Sequence, residues 1–78
     1  MSDTLLQEEN RKIRKLQFLV DFALAYIAQS PVSLEECHRV VEGVRQFAYN
    51  LFPDKKETFE LIYVPRFRRL IAEKYHLD

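Results

Sequence analysis

The stretch that decides the fold runs over residues 32–52 and reads VSLEECHRVVEGVRQFAYNLF. Ser33 and Glu36 match a capping box, in which a hydroxyl and a carboxylate bond to the free amides at the start of a helix. Apolar residues then recur at alternating steps of three and four, which places them on one helix face. Pro53 ends the pattern, because the residue before a proline is disfavoured in the α conformation. We therefore predict a central helix over 34–52 whose apolar face comprises Leu34, Cys37, Val41, Val44, Ala48 and Leu51.

A longer helical pattern precedes this stretch, from about residue 4 to residue 29. Its second half is rich in apolar residues, and a helix with two apolar stripes needs two neighbours to cover them. Ser30-Pro31 breaks the pattern, and so short a connection predicts that the first two helices are antiparallel. The first stripe comprises Ile13, Leu16, Val20, Ala23 and Ile27, and the second comprises Leu19, Phe22 and Tyr26.

The last third of the chain predicts one helix that a proline interrupts. Asp54 and Glu57 repeat the cap pattern and open the helix. Pro65 inside it removes a hydrogen bond and costs ~3 kcal/mol unless the helix bends or restarts. We expect a kink or short break at Tyr63-Val64, with a continuous bent helix as the alternative. The apolar face comprises Phe59, Ile62, Tyr63, Phe67, Leu70, Ile71 and Leu77.

Together these patterns predict an all-α fold, a small three- or four-helix bundle whose last helix is kinked or broken near Pro65. We expect one helical domain over residues 1–78, with helices at roughly 4–29, 34–52, 55–63 and 65–76. In a chain of 78 residues a lone core rarely yields more than ~3–5 kcal/mol. The apolar share of 47% is high for so small a body to bury alone, so self-association, as a homodimer, is expected.

Charge and cysteine content narrow the class of protein. Twelve basic residues balance twelve acidic ones, which disfavours a strong global attraction to nucleic acid or to an anionic membrane. The single cysteine excludes a disulfide within one chain and suits a reducing compartment. The start of the sequence lacks the basic and apolar regions of a signal peptide, and no run approaches ~20 apolar residues. A cytoplasmic location is therefore expected.

The candidate chemical groups of the sequence do not converge on a catalytic site. Cys37 and His38 are successive helical residues and do not face one another. Glu35-x-x-His38 and Glu73-x-x-His76 match the ligand spacing of di-iron helix bundles, but the first pair lies off the apolar stripe and should point away from the core. The sequence has no glycine-rich phosphate loop and no Cys-x-x-Cys pair. We therefore predict a non-enzyme with no cofactor and no metal site.

Two groups of residues are candidates for contact with a partner. Aromatic and arginine side chains are the usual anchors of interfaces. We predict a protein–protein interaction or regulatory module, whose partner is itself or another protein. Arginines around Pro65 also allow an alternative, a nucleic-acid-binding protein that uses its basic last helix. The candidate contact residues are Phe18, Phe22 and Tyr26, with Arg66, Phe67, Arg68 and Arg69 as a possible second surface.

Overall fold

The fold is an all-α bundle, as predicted. The computed structural model describes residues 2–76, with side chains from residue 5 onward, and this part of the chain contains no β-strand. One 3₁₀ turn, Pro53–Lys55, follows the second helix. The α-helices are α1 (Ser2–Gln29), α2 (Leu34–Leu51), α3 (Lys56–Ile62) and α4 (Val64–Tyr75).

Helix α2 begins where the capping pattern places it. Ser33 is extended, and its hydroxyl accepts a hydrogen bond of 3.1 Å from the Glu36 amide. The Glu36 carboxylate bonds to Arg39 at 3.3 Å and not to the amide of Ser33, so the second half of the predicted capping box is not formed. At the other end the Phe52 amide still donates to the Ala48 carbonyl, and Pro53 then stops the helix. The predicted face is central to the core, with Cys37, Val41, Val44 and Ala48 buried.

Helices α1 and α2 are antiparallel, and α4 packs against both. Tyr26 and Glu36 lie together at one end of the α1–α2 groove, and Leu19 and Phe47 lie further along it. Lys74, near the end of α4, reaches the last carbonyls of α1. One apolar core joins the helices and comprises Leu16, Val20, Ala23, Ile27, Cys37, Val41, Val44, Ala48, Phe59, Val64, Phe67 and Ile71.

The front part of α1 projects beyond the bundle. At 1.5 Å per residue its 28 residues span about 42 Å, whereas the 18 residues of α2 span about 27 Å. The buried part of α1 begins only at Leu16. Ile13, which the sequence assigns to the buried stripe, is 40% exposed, at the open cleft that it lines with Phe52 and Ile62. Leu5 and Leu6 are exposed on the projecting part.

The predicted break near Pro65 is confirmed. Tyr63 is the single residue between α3 and α4, and its carbonyl accepts from the amides of Arg66 at 3.1 Å and Phe67 at 3.4 Å. Pro65 lies in the first turn of α4, where a backbone N–H would have no hydrogen-bond partner within the helix, so proline costs no hydrogen bond there. Val64 and Phe67 enter the core immediately after the break.

Two details of the last third differ from the sequence-based prediction, and a third lies outside the described residues. Asp54 lies within the 3₁₀ turn, and α3 begins without a side-chain cap, so Asp54 does not act as its N-cap. Ile62 is 49% exposed, because Phe59 and Val64 fill the core on either side of the bend. Leu77 lies outside the described residues.

A polar network fixes α3 against α2. Arg45 donates to Glu60 at 2.7 Å and to Glu42 at 2.7 Å, and Tyr49 donates to Glu60 at 2.5 Å. These hydrogen bonds, first from Tyr49 and then from Arg45, lower the pKa of Glu60. The hydrogen bond to Glu60 also raises the pKa of the Tyr49 hydroxyl. The network holds the short α3 in place, since Phe59 is its one buried residue.

The substitution Glu60→Gln should lower the free energy of unfolding by about 0.5–1 kcal/mol at pH 7, because a half-exposed charged hydrogen bond is lost. The folded-state pKa of Glu60 is lowered, so its contribution is present above the ordinary pKa of about 4.3 and is lost as pH falls through the folded value. Urea unfolding of both proteins from pH 7 to pH 3 measures this. A difference in stability that persists undiminished at pH 3 would contradict it.

The end of α4 is bonded to the α1–α2 connection. The ammonium of Lys74 donates to the carbonyls of Ile27 and Ser30, where it supplies the cation that the last turn of α1 lacks. The Tyr75 hydroxyl donates to the Val32 carbonyl, so the Cys37 thiol, 3.6 Å away, is the donor to Tyr75. The bond from Cys37 and partial burial raise the pKa of Tyr75.

The substitution Tyr75→Phe should lower the free energy of unfolding by about 1 kcal/mol, because it leaves the Val32 carbonyl and the Cys37 thiol without their partner. Tyr63→Phe is the matched control, since the Tyr63 hydroxyl makes no side-chain hydrogen bond within residues 5–76. Urea unfolding of the three proteins tests this. Equal losses in the two variants would show that the Tyr75 hydroxyl contributes nothing specific.

Candidate interaction surfaces

Exposed aromatic side chains concentrate on one side of the α1–α2 pair. Phe18 is 73% exposed, Phe22 is 62% exposed, and Phe47 of α2 is 36% exposed beside them. Three half-buried neighbours connect these rings to the core. We define the α1–α2 face as Phe18, Leu19, Phe22, Tyr26, Val40, Gly43 and Phe47.

Helix periodicity explains why these rings remain outside the hydrophobic core. Phe18 and Phe22 are four residues apart and lie on one side of α1, about 100–160° away from the core stripe through Leu16 and Val20. Phe47 follows the buried Val44 by three residues and lies on the flank of α2 that borders α1. A phenylalanine carries on the order of 200 Å² of surface, so the three rings expose roughly 300–400 Å². Apolar patches of this size on small proteins are often functional.

Gly43 lies at the middle of this face and has open space above it. A Cβ placed on Gly43 would meet no atom of residues 5–76 within 4 Å, so packing among these residues does not require glycine there. Glycine in a helix interior costs about 1 kcal/mol relative to alanine. The residue leaves a shallow depression between Phe22 and Phe47, both of which line the same groove.

The two ends of the α1–α2 face carry opposite charge. Arg11, Arg14 and Lys15 surround the end at Phe18 and Phe47. Glu36 lines the other end, near Tyr26. Glu35 is beside it, and both carboxylates bond to Arg39, at 2.6 Å for Glu35 and 3.3 Å for Glu36. One end is therefore basic and the other retains one net negative charge.

The second predicted surface is reduced to its arginines. Phe67 is 1% exposed and packs in the core, so it does not belong to any surface and its assignment as a contact residue is corrected. Arg66 is exposed and lies over the Tyr63 ring at 5.6 Å. Arg68 borders the α2–α4 groove, whereas Arg69 lies about 100° further round the helix. Arg66 and Arg69 are three residues apart and are neighbours on the helix surface, so two of the three cations share one side of α4.

The remaining concave regions are grooves with apolar floors. The α2–α4 groove has a volume of about 360 Å³ and includes His38 and Arg68 at its rim. A smaller cleft of about 190 Å³ lies between α1 and α3, lined by Ile13, Phe52 and Ile62 among others. Arg45, the other cation of the first groove, is already bonded to Glu42 and Glu60.

Potential reactive groups are separated in the structure. Cys37 is fully buried and packs in the core, while the adjacent His38 is exposed on the groove side. Glu35 bonds to Arg39. Among the described residues, no group of three or more His, Cys, Asp or Glu side chains is close enough to hold a metal ion.

Comparison with known proteins found no matching family model, no similar curated protein and no similar solved structure. Within the described residues, no helix is both long and apolar enough to cross a membrane.

The substitution Gly43→Ala should raise the free energy of unfolding of the monomer by about 0.5–1 kcal/mol, because it removes the conformational cost of glycine without a clash. Ala25→Gly, at an exposed position of α1, is the reverse control and should lower stability by a similar amount. Thermal and urea unfolding at low micromolar concentration provide the measurement. A destabilised Gly43→Ala monomer would mean that the space above Gly43 is occupied.

Proposed function

We propose that this chain is a non-catalytic protein–protein interaction module, with an adaptor or regulatory role, and that it associates with itself through the α1–α2 face. The exposure of Phe18 and Phe22 carries the proposal. Both rings lie on well-formed helix and neither has a hydrophobic partner sufficient to cover it within the described residues. Such side chains are typical anchors of protein interfaces.

The free energy gained by burying the α1–α2 face is comparable with the cost of bringing two copies together. When two copies cover these faces, roughly 700 Å² of aromatic surface leaves water, which contributes on the order of 15 kcal/mol at ~25 cal/mol per Å². Association itself costs about 4–15 kcal/mol in lost translational and rotational freedom. The difference amounts to at most about 11 kcal/mol, a range that includes the roughly 8 kcal/mol of a micromolar dimer.

The absence of catalysis is part of this proposal. The described side chains include a buried thiol and an exposed imidazole that do not meet, and carboxylates that are bonded to arginines. No arrangement of nucleophile, base and orienting group is formed within residues 5–76. Nucleic-acid binding through α4 stays a prediction, with Arg66 and Arg69 on one side of the helix and Arg68 on the side of the α2–α4 groove.

The test is the mass in solution as a function of protein concentration. We expect wild-type protein to change from monomer to dimer between low and high micromolar concentration in sedimentation or light scattering. Phe18→Ser with Phe22→Ser should keep the protein monomeric at about 100 μM, because the interface loses its two largest anchors. Leu61→Ser is the control, since Leu61 is 71% exposed and lies outside the face.

Helicity by circular dichroism shows whether the variants are folded. A wild-type protein that stays monomeric at high micromolar concentration would remove the self-association part of the proposal. Equal effects of the double variant and Leu61→Ser would remove the α1–α2 face as its site. Retention of mixed DNA or RNA at low salt, lost in Arg68→Ala with Arg69→Ala, would instead favour the nucleic-acid alternative.

A further inference from the structure

We infer that the α1–α2 face is occupied by a second copy of this chain in antiparallel orientation, about a two-fold axis near Gly43, so that the basic end of each protomer meets the acidic end of the other. This inference depends on the proposed self-association and adds the geometry and the charge pairing to it. A two-fold dimer is the commonest arrangement of identical chains, and it uses the same patch on both.

The position of the charges along the two helices favours this orientation. Lys15 lies seven residues before Phe22, and Glu36 lies seven residues before Gly43 on the antiparallel α2, so each is about 10 Å from the middle of the face, in opposite directions. A two-fold rotation that reverses the bundle direction brings Lys15 of one copy next to Glu36 of the other. The contact occurs twice. Parallel docking would instead bring the two basic ends together.

The basic end is available for such a contact. Within residues 5–76, the ion pairs of the structure involve Arg39 and Arg45 but neither Arg14 nor Lys15. Glu8 and Glu9 lie one to two turns earlier on α1, and the nearby Arg11 and Lys12 balance them. Arg14 and Lys15 therefore remain as positive charge beside Phe18. At the other end Arg39 neutralises only one of the two carboxylates Glu35 and Glu36.

Gly43 suits the position on the axis. In the antiparallel arrangement, α2 of one copy crosses α2 of the other at Gly43, where the missing side chain lets the two backbones approach closely. Phe22 then meets its own symmetry mate across the same axis. None of the described residues fills the space above Gly43, and a second copy would use it.

The face is large enough for a specific but weak dimer. The packed length of α2 is about 27 Å, and two adjacent helices are about 20 Å wide, so the face covers roughly 550 Å² on each protomer. Both sides together bury on the order of 1,100 Å², the lower end of the range for specific interfaces. At this size, charge pairing has a visible effect on which orientation is preferred.

Charge reversal distinguishes the orientation. In one protein we replace Arg14→Glu with Lys15→Glu, and in a second Glu35→Lys with Glu36→Lys. Each protein alone places like charges together at both ends, so at low salt we expect its dimer Kd to rise five- to tenfold or more. When the two are mixed, both ends carry opposite charges again, and the mixed dimer should recover a Kd within about threefold of wild type.

Arg69→Glu and Glu73→Lys, on the exposed side of α4, are the matched controls and should leave the dimer Kd unchanged. Raising the salt concentration should reduce the differences, because these charges are exposed. Folding costs of a variant are the same alone and in the mixture, but the mixture pairs opposite charges in either orientation. The inference is therefore supported only if each variant alone dimerises more weakly than wild type and the mixture recovers the wild-type Kd without becoming tighter than it.

The outcomes separate the two proposals. Suppose that wild type dimerises through Phe18 and Phe22 but the mixture has no lower dimer Kd than either variant alone. The antiparallel arrangement is then wrong, while the proposed self-association through the α1–α2 face is retained. If wild type is monomeric throughout, both fail. A variant pair whose separate dimers are as tight as wild type would also overturn the arrangement.

Discussion

The bundle depends on the burial of one narrow stripe of α2 between α1 and α4. Cys37, Val41, Val44 and Ala48 are nearly inaccessible to water and contain no large side chain. Because these side chains are small, α2 lies close to its neighbours, and the larger core residues of α1 and α4 fill the space around it. The flanks of α2 then border two grooves, one with α1 and one with α4. The packing of this core therefore leaves the aromatic side chains of the α1–α2 face exposed.

The two ends of the bundle are held by polar contacts of different kinds. At one end Arg45, Glu60 and Tyr49 join α2 to α3 in a half-exposed network. At the other end Lys74 and Tyr75 bond to backbone carbonyls near the α1–α2 connection. The turn at Pro53–Lys55 makes both possible, because it reverses the chain so that Glu60 of α3 reaches Arg45, and α4 then continues beyond the bend at Tyr63 until Lys74 reaches the end of α1. In so small a protein, such contacts supplement a core of limited size.

Local signals in the sequence predict much of this fold. The Ser33 cap, the spacing along α2 and the position of Pro65 each act within a few residues, and each appears in the structure as predicted. The errors arise where distance along the chain matters. Ile13 continues the core stripe, but it lines an open cleft with Phe52 and Ile62, which are distant in the sequence. Phe67 is an exception, because its spacing already places it on the apolar face and only the neighbouring arginines suggest a surface. The contacts of Lys74 and Tyr75 join residues more than 40 positions apart, so the local spacing of residues does not predict them.

The location of the only thiol has a consequence for reactivity. Cys37 is fully buried, and its sulfur lies 3.6 Å from the hydroxyl oxygen of Tyr75, which in turn bonds to the Val32 carbonyl. An alkylating reagent therefore reaches this sulfur only during moments when the carboxyl-terminal turn detaches or the chain opens further. The rate at which a reagent labels the thiol therefore measures how often that opening occurs. The measurement uses the protein's own cysteine and needs no introduced probe.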